Sequence, residues 1–230
     1  MENKLIIFDV GGTMLDNDDF NFENGLKYLY DEILDVKEDY NTFLNFVNSY
    51  KDIFSKRDDT LIEISFVSYL NYLYLCYNKK TILDIDEVEM NFIHHVYHPY
   101  LVKDLIKCLT YLKNKKYKLL VFSNSMFQTK AIRQELKDLG IDQYFDEIIS
   151  SGDHLFRKPS SFIFSSYLKK YEILPNNVMY IGNDYDIDII TPIKLKMKCA
   201  LRSDKLIDHG NYLEFDNYEN LIRWFKENGY

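Results

Sequence analysis

Asp9 closes the apolar run Leu5–Phe8 and is followed almost at once by Gly11, Gly12 and Thr13. A lone carboxylate at a strand tip, with side chains cleared from beside it, has two uses. It can sit where the chain must bend sharply, or it can be a nucleophile that needs a bulky anion brought close to the backbone. Three other groups stand in comparable places. Ser123 ends "YKLLVFS", with Asn124 and Ser125 beside it; Lys158 precedes Pro159 in "FRKPS"; Asn183, Asp184 and Asp188 follow "NVMYIG". A carboxylate attacks a phosphate dianion only once their repulsion is cancelled, which asks for a divalent cation and a lysine. Attack by Asp9 would then give an aspartyl-phosphate that water cleaves. Hard oxygen ligands suit Mg²⁺.

The elements that must position these groups are legible from periodicity. Residues 4–8 read as a central strand, a short apolar run with β-branched residues. Residues 20–97 carry apolar positions at three- and four-residue spacing with no strand pattern between them, which predicts about four amphipathic helices closed by Pro99. From residue 100 helices and strands alternate: strands at "YKLLVFS", "DEIIS", "NVMYIG" and "KCALR", helices at "YLVKDLIKCLTYLKN", "TKAIRQELKDLG", about Ser160 to Tyr171 and "YENLIRWFKEN". This predicts an α/β protein: a parallel Rossmann-like sheet covered by helices on both faces, with an all-helical segment inserted after the first strand. Ligands gather at the carboxyl ends of such strands. Asp9, Ser123, Lys158 and the 183–188 cluster all fall there, in chain order.

In that order and spacing the chain resembles the haloacid dehalogenase superfamily, with "DVGGT", "FSNS", "RKP" and "GNDYDID" matching its four motifs. The resemblance spans nearly the whole chain. It implies a core domain of residues 1–15 and 99–230 and a helical cap of residues 16–98. It also implies a Mg²⁺-dependent phosphatase acting on a small phosphorylated metabolite. Asp9 would be the nucleophile, Ser123 would hydrogen-bond a phosphoryl oxygen, and Lys158 would balance charge on Asp9 and the phosphate. Gly11, Gly12, Thr13 and Asn124 would complete the phosphate pocket. The metal ligands would be Asp9, the Gly11 carbonyl and the fourth motif, where Asp184 is preferred, Asn183 is the alternative and Asp188 takes the later acidic position. Two departures stand out. Gly11 replaces the family's second Asp, the general acid and base, so good leaving groups should be preferred. Asn183 precedes Asp184 where the family usually has its Asp.

Each group has a plainer reading. Asp9 could end a turn, Ser123 and Ser125 could cap a helix, Lys158 could be a surface lysine, and residues 184–188 could open a solvated helix. All four would have to hold together for the site to vanish. His94 and His98 are spaced for a metal pair but lack the metalloprotease carboxylate, and read as polar residues near the cap hinge. His154, close to Lys158, is a candidate to replace the missing acid. The net charge of −8 and lack of a basic stripe exclude nucleic acid as a partner. Three dispersed cysteines fit a reducing compartment. No apolar run suits a signal peptide or a membrane span, so a cytoplasmic protein is expected. The sequence carries no signal of oligomeric state. The rivals are a metal-independent 2-haloacid dehalogenase, disfavoured by the acidic cluster and the lack of Arg between residues 16 and 56, and a non-catalytic binding protein of the same fold. A phosphomutase needs the acid–base residue that Gly11 lacks.

Overall fold

The computed structural model describes residues 4–229. Residues 1–3 and 230 of the expected core range lie outside them. Seven strands form one sheet: β1 (Leu5–Phe8), β2 (Lys118–Ser123), β3 (Glu147–Ser150), β4 (Val178–Gly182), β5 (Lys198–Arg202), β6 (Ile207–Asp208) and β7 (Leu213–Phe215). Their spatial order is β6-β7-β5-β4-β1-β2-β3. All neighbours pair parallel except β6 with β7, so the Rossmann-like expectation holds and an antiparallel edge hairpin is added to it.

Strand side chains alternate between faces, and both faces are dry. Ile6, Phe8, Leu119, Val121, Met179 and Ile181 join one core with α6 (Leu105–Asn114), α7 (Thr129–Asp138) and α10 (Tyr218–Glu227). Leu5, Ile7, Leu120, Phe122, Val178 and Tyr180 join another under α8 (Ser161–Lys170). The short α9 (Ile190–Lys194) completes that side. This double burial explains why the strands read as nearly continuous apolar runs.

Residues 20–97 hold five α-helices, α1 (Phe22–Tyr28), α2 (Tyr40–Asn48), α3 (Lys51–Thr60), α4 (Phe66–Cys76) and α5 (Ile85–Val96), one more than the spacing predicts. The extra break falls in "YNTFLNFVNSYKDIF" at Tyr50, which leaves helical geometry at φ −105° and ψ 13°. Asp39, Ser65 and Asp84 each accept a backbone N–H at the start of α2, α4 and α5. A two-residue ribbon, Leu34–Asp35 with Asn78–Lys79, also interrupts the helical segment, too short to show as alternation. A second ribbon pairs Leu15–Asp16 with Tyr100–Leu101, where the chain leaves and rejoins the sheet. Helices α1 and α5 meet at Gly25, where an added Cβ would lie 2.6 Å from Phe92 and 2.7 Å from Val96.

The helical segment is tied to the loops beyond β2 and β3. The Phe66, Phe92 and Phe127 rings pack together, and the Phe66 N–H donates to the Met126 carbonyl at 2.8 Å. Glu63, almost fully buried, accepts from Arg57 at 2.9 Å, Arg157 at 2.7 Å and Ser151 at 2.6 Å. No helix among the described residues is long and apolar enough to cross a membrane.

Candidate active site

The Asp9 N–H donates to the Ile181 carbonyl of β4, which fixes the residue at the lip of the sheet. The chain then turns tightly: the amides of Thr13, Met14 and Leu15 all donate to the Val10 carbonyl. Gly12 takes φ +71°, and a side chain there would also collide with the Asn183 amide. Gly11 has neither constraint; a Cβ built on it meets nothing within 4 Å. Distant residues hold this loop in place. Arg202 of β5 donates to the Gly12 carbonyl at 2.6 Å and grips Asp16 with two bonds, 2.8 and 2.9 Å. The Tyr218 hydroxyl of α10 donates to the Thr13 carbonyl at 2.9 Å.

Lys158 is buried with its ammonium between two carboxylates, 2.6 Å from Asp9 Oδ1 and 2.7 Å from Asp188 Oδ1. Asn124 fixes the lysine's backbone, accepting from its N–H at 2.8 Å and donating to its carbonyl at 2.9 Å. Asp188 Oδ2 accepts the amides of Asn183 and Asp184, so both its oxygens are engaged. The Thr13 hydroxyl lies 2.9 Å from Asp9 Oδ2 and 3.2 Å from Asn183 Oδ1. Asp184 accepts the amides of Asp186 and Ile187 through its Oδ1 and so opens the turn that presents Asp188.

Burial pushes the Asp9 carboxyl up to about 6, against the pull of Lys158 and with the help of the Asp188 charge. Burial also works against the Lys158 ammonium, but the charges and hydrogen bonds of Asp9 and Asp188 outweigh it, and its pKa is raised. Two buried carboxylates thus share one ammonium.

A cavity of about 430 Å³ opens on this bridge. Asp9, Gly11, Ser123, Asn124, Lys158, Asn183, Asp184 and Asp188 line it; Gly12 and Thr13 do not, and act from behind the loop. Of the plainer readings, Ser125 makes a local turn, accepting the Phe127 amide at 3.1 Å, and the residue preceding α7 is Gln128. His154 is exposed and does not line the cavity. His98 pairs with Asp19 at 2.6 Å, and His95 meets the Asn91 carbonyl at 2.7 Å.

The oxygens facing the cavity are hard donors, and they include an Asp9 carboxyl whose negative charge is only partly matched. Among the described residues no three His, Cys, Asp or Glu side chains cluster as a metal cage. That donor set fits Mg²⁺, which takes one or two carboxylates and fills its remaining positions with water and substrate oxygens.

The far wall of the cavity escaped the sequence reading. It includes Asn17, Phe20, Tyr97, Phe127, Ile132, Glu135 and Arg157. One signal was available: Glu135 interrupts the buried stripe Ala131, Ile132 and Leu136 of α7.

The fold and the strand-end groups together describe a Rossmann-like α/β architecture with a helical insertion after its first strand and its polar groups gathered at the strand ends. The chain belongs to the haloacid dehalogenase-like hydrolase family, whose sequence model matches residues 6–201. A curated relative, glyceraldehyde 3-phosphate phosphatase of Methanothermobacter thermautotrophicus, is 32% identical over 97 residues, an alignment covering 42% of each chain. The chain thus matches less than half the length of that relative. A HAD phosphatase from Thermococcus onnurineus superposes with a TM-score of 0.61 over 96% of this chain and 97% of that one, at 18% identity. The HAD-hydrolase YfnB of Bacillus subtilis, solved bound to magnesium, gives 0.59 over 98% and 100%, also at 18% identity. At these identities the two structures speak for the fold alone.

Proposed function

We propose that the chain is a Mg²⁺-dependent phosphatase that transfers the phosphoryl group of a small phosphoester to Asp9 and then to water. The observation that carries this reading is the buried Lys158 ammonium, bonded at once to Asp9 and Asp188 beside an open cavity. A lysine held this way keeps its charge while leaving Asp9 Oδ2 beside the Thr13 hydroxyl. Ser123 and Lys158 would bind phosphoryl oxygens as the phosphoester enters. Asp9, the Gly11 carbonyl and Asp184 would hold the cation, with Asn183 as the alternative. Asp184 Oδ1 is occupied in capping but its Oδ2 makes no capping bond, whereas the one amide oxygen of Asn183 already accepts from Thr13. Asp188 is assigned to the lysine. Once bound, the ion would supply charge neutralisation between the two anions. The phosphatase relative, matched over 42% of its length, supports the reading.

Residues 16–98 would act as a cap, hinged at the ribbon of Leu15–Asp16 and Tyr100–Leu101, that excludes water and chooses the substrate. The test is turnover of p-nitrophenyl phosphate with Mg²⁺, with EDTA and in Asp9→Asn. Activity should require the ion and fall at least about 10³-fold in the variant. Turnover of a 2-haloacid without metal would instead favour the dehalogenase.

A further inference from the structure

Glu135 is the one carboxyl on a wall that also carries Asn17, Phe20, Tyr97, Phe127, Ile132 and Arg157. It sits on α7, only 7% exposed, and lines the cavity near Leu15, Phe20, Phe127 and Ile132. The Tyr97 hydroxyl, at the end of the helical segment, hydrogen-bonds the carboxyl group. Yet Glu135 Oε1 is buried with no hydrogen-bond partner. A polar atom left unpaired in such a place costs about 1–3 kcal/mol, a cost removed when a ligand group pairs with it. The phosphate end of the cavity, where Lys158 stands, is separately furnished, and a second anion beside Glu135 would be repelled. What fits Glu135 is a neutral group able to hydrogen-bond.

We propose that Glu135, oriented by Tyr97, binds a hydroxyl of the leaving group and so selects small hydroxylated alkyl phosphates over phosphoesters whose leaving group carries no hydroxyl. The inference rests on the phosphatase reading and names the substrate class of that same cavity. Burial pushes the Glu135 carboxyl up to about 7, so near neutral pH it is protonated about half the time and can donate as well as accept. This gives the carboxyl a recognition role that needs no net charge on it.

The experiment compares kcat/KM for glycerol 3-phosphate with that for p-nitrophenyl phosphate in the wild-type protein, Glu135→Leu and Glu135→Gln. In Glu135→Leu the ratio of the two should fall about 10–100-fold, because only the hydroxylated substrate loses a partner. Glu135→Gln, which keeps both a donor and an acceptor, should restore most of the ratio. Equal losses on both substrates would mean that Glu135 serves the fold alone, and an unchanged ratio would mean that the hydroxyl binds elsewhere; either overturns the inference. Failure of the wild-type protein to hydrolyse either phosphoester would instead overturn the phosphatase reading beneath it.

Discussion

At the scale of single residues, the site turns on charge held out of water. Lys158 neutralises two buried carboxylates, and removing it strands both. Lys158→Met should abolish phosphoester turnover and cost about 3–5 kcal/mol in urea unfolding. Gly11 offers the converse, a gain. Its Cβ position is open and its φ lies outside the left-handed region, so Gly11→Asp can be accommodated without strain. Restoring an acid there should raise turnover of a poor leaving group, such as an alkyl phosphate, by about 10²-fold or more, with little change on p-nitrophenyl phosphate. No gain on the alkyl ester would show that another group already supplies the proton. Glu135 gives a prediction in pH. Its folded pKa of about 7 lies above its ordinary 4.5, because burial disfavours the charged form. Between those values the folded state holds a proton that the unfolded state releases, so stability falls as pH rises. Glu135→Gln should therefore be more stable relative to wild type at pH 8 than at pH 4.5, by up to about 3 kcal/mol, as read from melting at the two pH values.

At the scale of elements, the helical segment is joined to the sheet by a few named contacts. Glu63 gathers Arg57, Arg157 and Ser151, linking the loop after α3 to the loop after β3. Glu63→Ala would leave the buried Arg157 with Asp58 as its remaining acidic partner. Hydrogen exchange should then quicken across residues 57–66 and 151–158 while the strands stay protected. The elements themselves were largely legible beforehand. Sheet strands buried on both faces appear as apolar runs, and amphipathic helices show three- and four-residue spacing. Asp9, Ser123, Lys158 and the 183–188 cluster could be placed because each follows such a run. What stayed hidden depends on contacts far apart in sequence. Arg202 reaches back to Gly12 and Asp16, and Tyr218 to Thr13, yet neither residue carries a local signature. Glu135 carries one faint signal, its place in the buried stripe of α7, and only the docking of that helix puts it on the cavity. The break between α2 and α3 lies at Tyr50, with no proline or glycine beside it to mark it in the sequence. Gly25, which reads as a flaw in a helix, is where α1 and α5 touch.

At the scale of the whole molecule, a chain of net charge −8 carries at its site two buried carboxylates sharing one lysine, a place suited to a cation. Mg²⁺ with beryllofluoride should raise the melting temperature of the wild-type protein and leave Asp9→Asn unmoved. At a hundred times the dissociation constant the added stability would be about 2.7 kcal/mol. The central claim is that Asp9 bonds covalently to phosphorus. It is tested most directly by acid-quenching the enzyme during turnover with Mg²⁺, reducing it with borohydride and sequencing the peptide containing residue 9 by mass spectrometry. A fraction of Asp9 should be converted to homoserine, the product of reducing an aspartyl-phosphate, and only when the phosphoester is present. Sustained turnover with an unmodified aspartate at position 9 would contradict it.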